Sequence, residues 1–227
     1  VDPRPRLTSD PELAATTFAV IDFEATTPAG ARPEPIDVAA IQLRLDHGRW
    51  VEAGRFSKLM RPPLHAPVTP FDTAQTGITP QMTAAAQPAA VVLAELDAAF
   101  SGDQRCLLVA HHASTEAGML HDYRDHCPRL AHTDLLDTVR LARVLYPELP
   151  SHKLDTLLAH LGIPQPPGRH RALPDVQATA QVFCQMLAYA DASRTWASLR
   201  DLRRAGLIVA RANRPHQDGL FDLEALS

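Results

Sequence analysis

The chain has 227 residues, enough for one sizeable domain with a short extension and too few for two full catalytic domains. Its 45% hydrophobic and 21% charged residues can bury a real core, which excludes wholesale disorder. Twenty-two basic residues against 26 acidic ones give a net charge of −4, which argues against coating long nucleic acid but not against gripping a few nucleotides at a chain end.

Residues 1–12 are rich in proline and charge and read as a flexible N-terminal arm. Phe18-Ala19-Val20-Ile21 is a continuous apolar run, the pattern of a strand buried on both faces. Ile36–Leu45 and Val51–Leu59 flank Asp46-His47-Gly48, whose chemistry suits a tight reversal between antiparallel strands. From Arg61 to Thr83 prolines and threonines dominate, and a long irregular connection is expected. Helical spacing follows over Pro88–Phe100, a buried strand over Cys106–Ala110, and a helix over Thr115–Tyr123. Leu135-Leu136 opens a short strand that passes into a helix through Val144. Leu154, Leu157, Leu158 and Leu161 fit one helix face, and Gly162 with Pro164 ends it. Val176, Ala180, Phe183, Cys184 and Leu187 stripe a last long helix. A meander of strands followed by alternating strands and helices makes residues 13–190 an α/β domain, with 191–227 a basic C-terminal extension.

Cys106, Cys127 and Cys184 are odd in number and lack CxxC spacing, so a reduced, cytoplasmic setting is expected. No run approaches the ~18 apolar residues of a membrane span, and no membrane association is expected.

The chemistry concentrates in carboxylates. Asp22 and Glu24 follow directly from the first buried strand, and the strand period of two sends both to one face. Like charges held there resist ionising together unless a cation sits between them, which points to metal. Asp175 follows Pro174 in the first turn of the last helix, a position that also suits simple capping. His170 lies five residues earlier in a Pro/Gly loop, with a pKa range suited to a general base.

Taken in order, these residues resemble the DEDDh (DnaQ-like) 3′–5′ exonucleases, the family of the epsilon proofreading subunit of bacterial DNA polymerase III. The first motif of that family is matched by Phe18-Ala19-Val20-Ile21-Asp22-Phe23-Glu24-Ala25-Thr26, and the third by His170-Arg171-Ala172-Leu173-Pro174-Asp175. Thr76-Gly77-Ile78-Thr79, Leu136-Asp137-Thr138 and Lys153-Leu154-Asp155-Thr156-Leu157 resemble landmarks between them. The second motif departs from the family's Ala-His-Asn-Ala-x-Phe-Asp: here it reads Ala110-His111-His112-Ala113-Ser114-Thr115-Glu116. Glu116 keeps the charge of the family aspartate with one more methylene, while His112 and Thr115 alter the substrate-positioning places.

The resemblance implies a ribonuclease-H-like fold, a mixed five-stranded sheet with one antiparallel strand, flanked by helices. It implies hydrolysis of terminal phosphodiesters at DNA or RNA 3′ ends to nucleoside 5′-monophosphates, with two Mg²⁺ or Mn²⁺ ions about 3.5–4 Å apart. Asp22 would bridge the ions, Glu24 and Asp175 would hold the one beside the nucleophile, and Glu116 would support the other. His170 would take the proton from water, and Ala25, Thr26 and His112 would seat the terminal nucleotide. All-oxygen ligands suit such hard cations. A degenerate member that binds an end or a partner without chemistry is the alternative reading. The histidines at 111, 112, 121, 126 and 132 with Cys127 suggest zinc, but His121 and His126 are five apart and point to different sides of a helix.

Residues 194–216 carry six arginines against one acid, Asp201. They precede Gln217-Asp218-Gly219-Leu220-Phe221, which resembles the Gln-x-x-Leu-Phe peptide that docks on bacterial sliding clamps. In a clamp or polymerase partner, Leu220 and Phe221 would fill an apolar pocket and Gln217 its rim. The alternative is that Leu207-Ile208-Val209 and Leu220-Phe221 fold back onto the domain.

Overall fold

A computed structural model describes residues 5–100 and 105–214. Strands β1 (Thr16–Ala25), β2 (Pro35–Asp46), β3 (Arg49–Leu59), β4 (Arg105–Ala110), β5 (Leu135–Asp137) and β6 (Leu207–Ile208) form one sheet in the order β3-β2-β1-β4-β5-β6. β2 runs antiparallel to β1 and β3, β4 and β5 run parallel to β1, and β6 is antiparallel to β5. The β2–β3 reversal is the two-residue turn His47-Gly48, with φ of 45° and 78°, as a hairpin turn with two left-handed residues requires.

The helices are α1 (Pro11–Ala14), α2 (Pro70–Thr76), α3 (Pro80–Ala84), α4 (Ala89–Ala99) and α5 (Ser114–Asp122). After them come α6 (Pro128–His132), α7 (Thr138–Leu145), α8 (Leu154–His160), α9 (Ala172–Ser193) and α10 (Leu199–Gly206). They cover both sheet faces, so β1 must be apolar on both. Phe18 and Val20 join the cluster containing Val176, Phe183 and Leu187 of α9, whereas Ala19, Ile21 and Phe23 join the cluster under α4 and α5. Phe18 stands edge-on to Trp50 and tilted against Phe183, at centroid distances of 5.5 and 5.3 Å.

Three expectations change, and one open alternative is decided. The sheet has six strands rather than five, because Leu207 and Ile208 of the extension add a short edge strand to β5. Arg61–Thr83 is not irregular throughout: α2 and α3 each begin with a threonine cap followed by proline, Thr69-Pro70 and Thr79-Pro80. Proline is favoured at that first helical position because its missing N–H has no intrahelical partner there. The N-terminal segment is seated rather than loose from Leu7 onward. Leu7 and Leu13 are fully buried, and the Thr8 amide and hydroxyl both donate to Asp191 Oδ1, at 3.0 and 3.1 Å. Finally, α10 packs back: Leu199 and Leu202 join the α9-side core, and Gly206 lies so close to Leu141 that an added Cβ would fall 2.6 Å from its Cδ2. This is the back-folded arrangement for Leu207 and Ile208; Gln217, Leu220 and Phe221 lie outside the described residues.

The extension should therefore belong to the cooperative unit. Leu202→Ala should cost about 2–4 kcal/mol in urea unfolding, as deletion of a buried leucine side chain does, against less than about 0.5 kcal/mol for the exposed Arg204→Ala. Equal midpoints would place α10 outside the folding unit.

Candidate active site

The site forms where β1 leaves the sheet. Because Phe18 and Val20 face α9, the next residues of that parity, Asp22 and Glu24, face it too, beyond the apolar layer. The N-terminus of α9 is pinned above them by Asp37 of β2. Its carboxylate accepts from Arg171 Nε at 2.9 Å and from the Ala172 amide at 3.4 Å, satisfying one of the helix's orphan amides. One helical step on, Asp175 is buried in the first turn of α9. One carboxylate oxygen each from Asp22, Glu24 and Asp175 lies within 4.8 Å of the others, a grouping found nowhere else among the described residues.

Glu116 approaches from the first turn of α5, which follows β4. Only 4% of it is exposed, and among the described residues its Oε2 has no hydrogen-bond partner. It lies outside the three-carboxylate group, yet it raises the Asp22 pKa more than Glu24 does. Asp22 is pushed well above the usual carboxylate range, first by burial, then by Glu116, Glu24 and Asp175, while Arg169 opposes the shift. Burial, followed by the charges of Asp175 and Asp37, lifts Glu24 to about 7. Burial also lifts Glu116 to about 8, with Asp137 and Glu24 adding and its own backbone amide bond opposing. Three carboxylates that resist ionising, one of them with an orphaned buried oxygen, gathered with Asp175 fit a hard divalent cation: it would supply the missing partner and remove the repulsion.

Arg169 escaped the sequence reading. It bonds to Asp175 and, through Nη2 and Nε at 3.0 and 3.2 Å, to Asp155 Oδ1. The only hint was its place beside His170 in a stretch where three acids need a counter-charge. His170 itself is exposed and left-handed (φ 64°), while its neighbour Arg169 is the residue paired to Asp175 and Asp155. His112 is likewise exposed and left-handed (φ 67°). Non-glycine residues held there store strain of about 1–3 kcal/mol, which only a well-determined surrounding maintains.

Ala25 follows an irregularity in the β1–β2 register that ends the ladder. Thr26 is fully buried, its amide donating to Glu34 O at 2.9 Å and its hydroxyl accepting from the Glu34 amide at 3.1 Å. Its hydroxyl thus holds the loop. Thr27 is fixed by its amide and hydroxyl on Asp72 Oδ1, and Tyr123 donates to Glu34 Oε2 at 2.5 Å. These ties fix the backbone at Ala25–Thr26 relative to the carboxylates.

The histidines and Cys127 do not gather. His111 Nδ1 lies 2.8 Å from Thr138 Oγ1, which is itself 3.3 Å from Ala110 O. Burial, helped by His112 and Arg169, lowers the His111 pKa to about 4 and keeps the ring neutral. Cys127 Sγ instead donates to the carbonyls of Leu120 and Tyr123. Among the described residues no helix is long and apolar enough to cross a membrane.

This arrangement has known counterparts. The sequence profile of the RNase_T exonuclease family matches residues 19–183, and the chain belongs to that family. A DNA polymerase III PolC-type protein of Oceanobacillus iheyensis is 33% identical over 185 residues, which cover 79% of this chain and 12% of that protein. A DNA polymerase III subunit epsilon-like protein of Rhodobacter capsulatus is 32% identical over 207 residues, covering 88% of this chain and 28% of the relative. The chain therefore spans less than a third of either relative. Its fold is shared with the nuclease domain of 3′hExo, a DEDDh family member, bound to rAMP, at a TM-score of 0.67 and 20% identity, over 81% of this chain and 96% of that one. Exonuclease X in complex with 5′ overhanging duplex DNA superposes at 0.56 with 24% identity, over 79% and 93% of the two chains.

The raised pKa values set a pH dependence. A carboxylate whose pKa is higher in the folded than in the unfolded state makes the folded state bind more protons, so stability falls as pH rises. For Glu24 and Glu116 that loss runs from the ordinary value of 4.5 up to about 7 and about 8. In chelator the melting temperature should drop between pH 5 and pH 8, and millimolar Mg²⁺ or Mn²⁺ should restore it at pH 8 but hardly at pH 5. A metal effect of equal size at both pH values would show that these carboxylates are not the ligands.

Proposed function

We propose that this chain is a divalent-metal-dependent 3′–5′ exonuclease that hydrolyses the terminal phosphodiester of a DNA or RNA strand to a nucleoside 5′-monophosphate. The observation that carries the reading is the convergence of Asp22, Glu24 and Asp175 beside a buried Glu116 whose Oε2 lacks a partner. Asp22, Glu24, Asp175 and Glu116 would hold Mg²⁺ or Mn²⁺. Such ions, when bound, supply Lewis acidity at the scissile phosphate and lower the pKa of attacking water.

The chain's own groups do the rest. Ala25 and Thr26, held by Glu34 and the Thr27–Asp72 bonds, present a fixed backbone edge to the terminal nucleotide. His170, on the loop ahead of α9, takes the proton from the attacking water, and its exposed position lets the loop close over a bound end. Arg169 is paired to Asp155 as well as Asp175, so it can surrender Asp175 to a cation and remain paired. His112 borders the terminal nucleotide in this reading. The C-terminal Gln217-Leu220-Phe221 pattern is proposed as a clamp-docking peptide that would raise the local concentration of the enzyme near primer ends.

A 3′-labelled oligonucleotide incubated with Mg²⁺ and then Mn²⁺ should yield mononucleotides. Single-stranded DNA, mismatched duplex, RNA and a dinucleotide run in parallel will define the substrate. Asp22→Asn and Glu116→Ala should each lower the rate on the order of a hundredfold or more with the fold intact, whereas Glu116→Asp should keep or raise it. No release in either metal by folded protein overturns the reading in favour of a non-catalytic binding module. Equal rates for the native, Asp and Ala forms at 116 would remove that residue from the site. A Pro215–Ser227 peptide should bind a bacterial sliding clamp with micromolar Kd, and the Leu220→Ala/Phe221→Ala form should not; no binding would end the clamp assignment.

A further inference from the structure

The extension beyond α10 reaches the active-site helix. After β6, the Ala210 amide donates to Asp134 Oδ1 at 3.1 Å, and Asn213 exchanges two bonds with His132, to its ring Nδ1 at 2.7 Å and to its carbonyl at 2.8 Å. The short 3₁₀ turn Arg211–Asn213 is thereby fixed beside α6, and it lays Arg211 across α5. There Arg211 Nη2 donates to Ser114 O at 3.3 Å. Its guanidinium lies 3.3 Å from where a Cβ on Gly118 would stand. Glycine inside a helix is unfavourable by about 0.5–1 kcal/mol relative to alanine. At residue 118 that absent side chain is what leaves room for the guanidinium to lie flat against the helix.

Arg211 borders a cleft of about 650 Å³ between α5 and the β1–β2 loop, lined also by Arg32, Thr115 and Arg124. One acid there, Asp122, lies 3.3 Å from Arg32, so three arginines face one carboxylate in a chain whose net charge is −4. The two walls are the elements that carry the catalytic carboxylates: the loop continues from Asp22 and Glu24, and Thr115 precedes Glu116. A strand whose last phosphodiester lies at those carboxylates must leave the site with its backbone phosphates still charged.

We propose that this cleft holds the sugar–phosphate backbone of the nucleotides upstream of the scissile bond, with Arg211 as a phosphate contact contributed by the C-terminal segment. The proposal rests on the exonuclease reading. Arg211 spends one N–H on Ser114 O and keeps the rest of its planar fork for a phosphate, which arginine grips in bidentate fashion. Contacts of this kind position a strand without reading its sequence.

The full chain and its Arg211→Ala and Arg124→Ala variants would be compared in two assays. The first is anisotropy of a 5′-fluorescein oligothymidylate 12-mer in chelator, over a salt series, which is defined whether or not the protein hydrolyses it. The second is hydrolysis of thymidine 5′-(p-nitrophenyl phosphate), a substrate too short to enter the cleft. Each variant should bind the 12-mer roughly tenfold more weakly and flatten the slope of log affinity against log salt by about 0.7, while hydrolysing the short ester at the native rate. Arg211→Lys should recover part of the salt slope. Native affinity and slope in both alanine variants would overturn the cleft assignment, and so would a loss confined to the short ester. Failure of the native protein to cleave the ester would count against the exonuclease reading alone, because the binding series still decides whether the cleft takes a nucleic-acid strand.

Discussion

Like charges forced together at the tip of a buried strand are the constraint around which this molecule is arranged. Asp22, Glu24 and Asp175 each place an oxygen within 4.8 Å of the others, and Glu116 adds a fourth carboxyl with an unpartnered oxygen. In water such groups would separate; here β1 and α9 are locked by Phe18, Phe183 and their neighbours, so they cannot. The cost appears as raised pKa values, and Arg169 offsets part of it from the α8–α9 loop. A site strained in this way favours a bound cation, which would relieve the repulsion.

Holding the cluster requires positioning from several distant segments. Asp37 fixes the start of α9 through Arg171 and Ala172, and so fixes Asp175. Asp72 and Tyr123 fix the loop that follows Glu24, one through Thr27 and the other through Glu34. Each tie is a hydrogen bond to a carboxylate, stronger than a neutral one and suited to holding the backbone beside the cluster in place. The C-terminal extension belongs to the same scheme: Leu202 and Ile208 bury it, and Asp134 and His132 then direct Arg211 onto α5.

Much of this was legible in the residues. The apolar run ending in Asp22 and Glu24 fixed a buried strand with two acids on one face, because side-chain direction along a strand alternates whatever surrounds it. The His47-Gly48 reversal and the long α9 stripe were equally local signals, and the family motifs ordered them. Where reading failed, the deciding contacts were remote. Leu7 could not be seen to be core without knowing that Asp191 stands beside Thr8, 183 positions away. The α2 and α3 helices were hidden under prolines that in fact sit at their first turns.

Sequence alone determined which side chains carry the charge, which strand presents Asp22 and Glu24, and that Glu116 replaces an aspartate of the family pattern. These follow from residue identity and from periodicities of two and 3.6, which need no partner. Only the tertiary structure decided that Arg169 pairs with Asp175 and Asp155, that Glu116 is buried with an oxygen unpartnered among the described residues, and that Leu207–Ile208 extends the sheet. It also decided that Arg211 of the extension meets Gly118 of α5. Those outcomes depend on how separate segments are brought together around a shared core, and no local pattern encodes a distance across it.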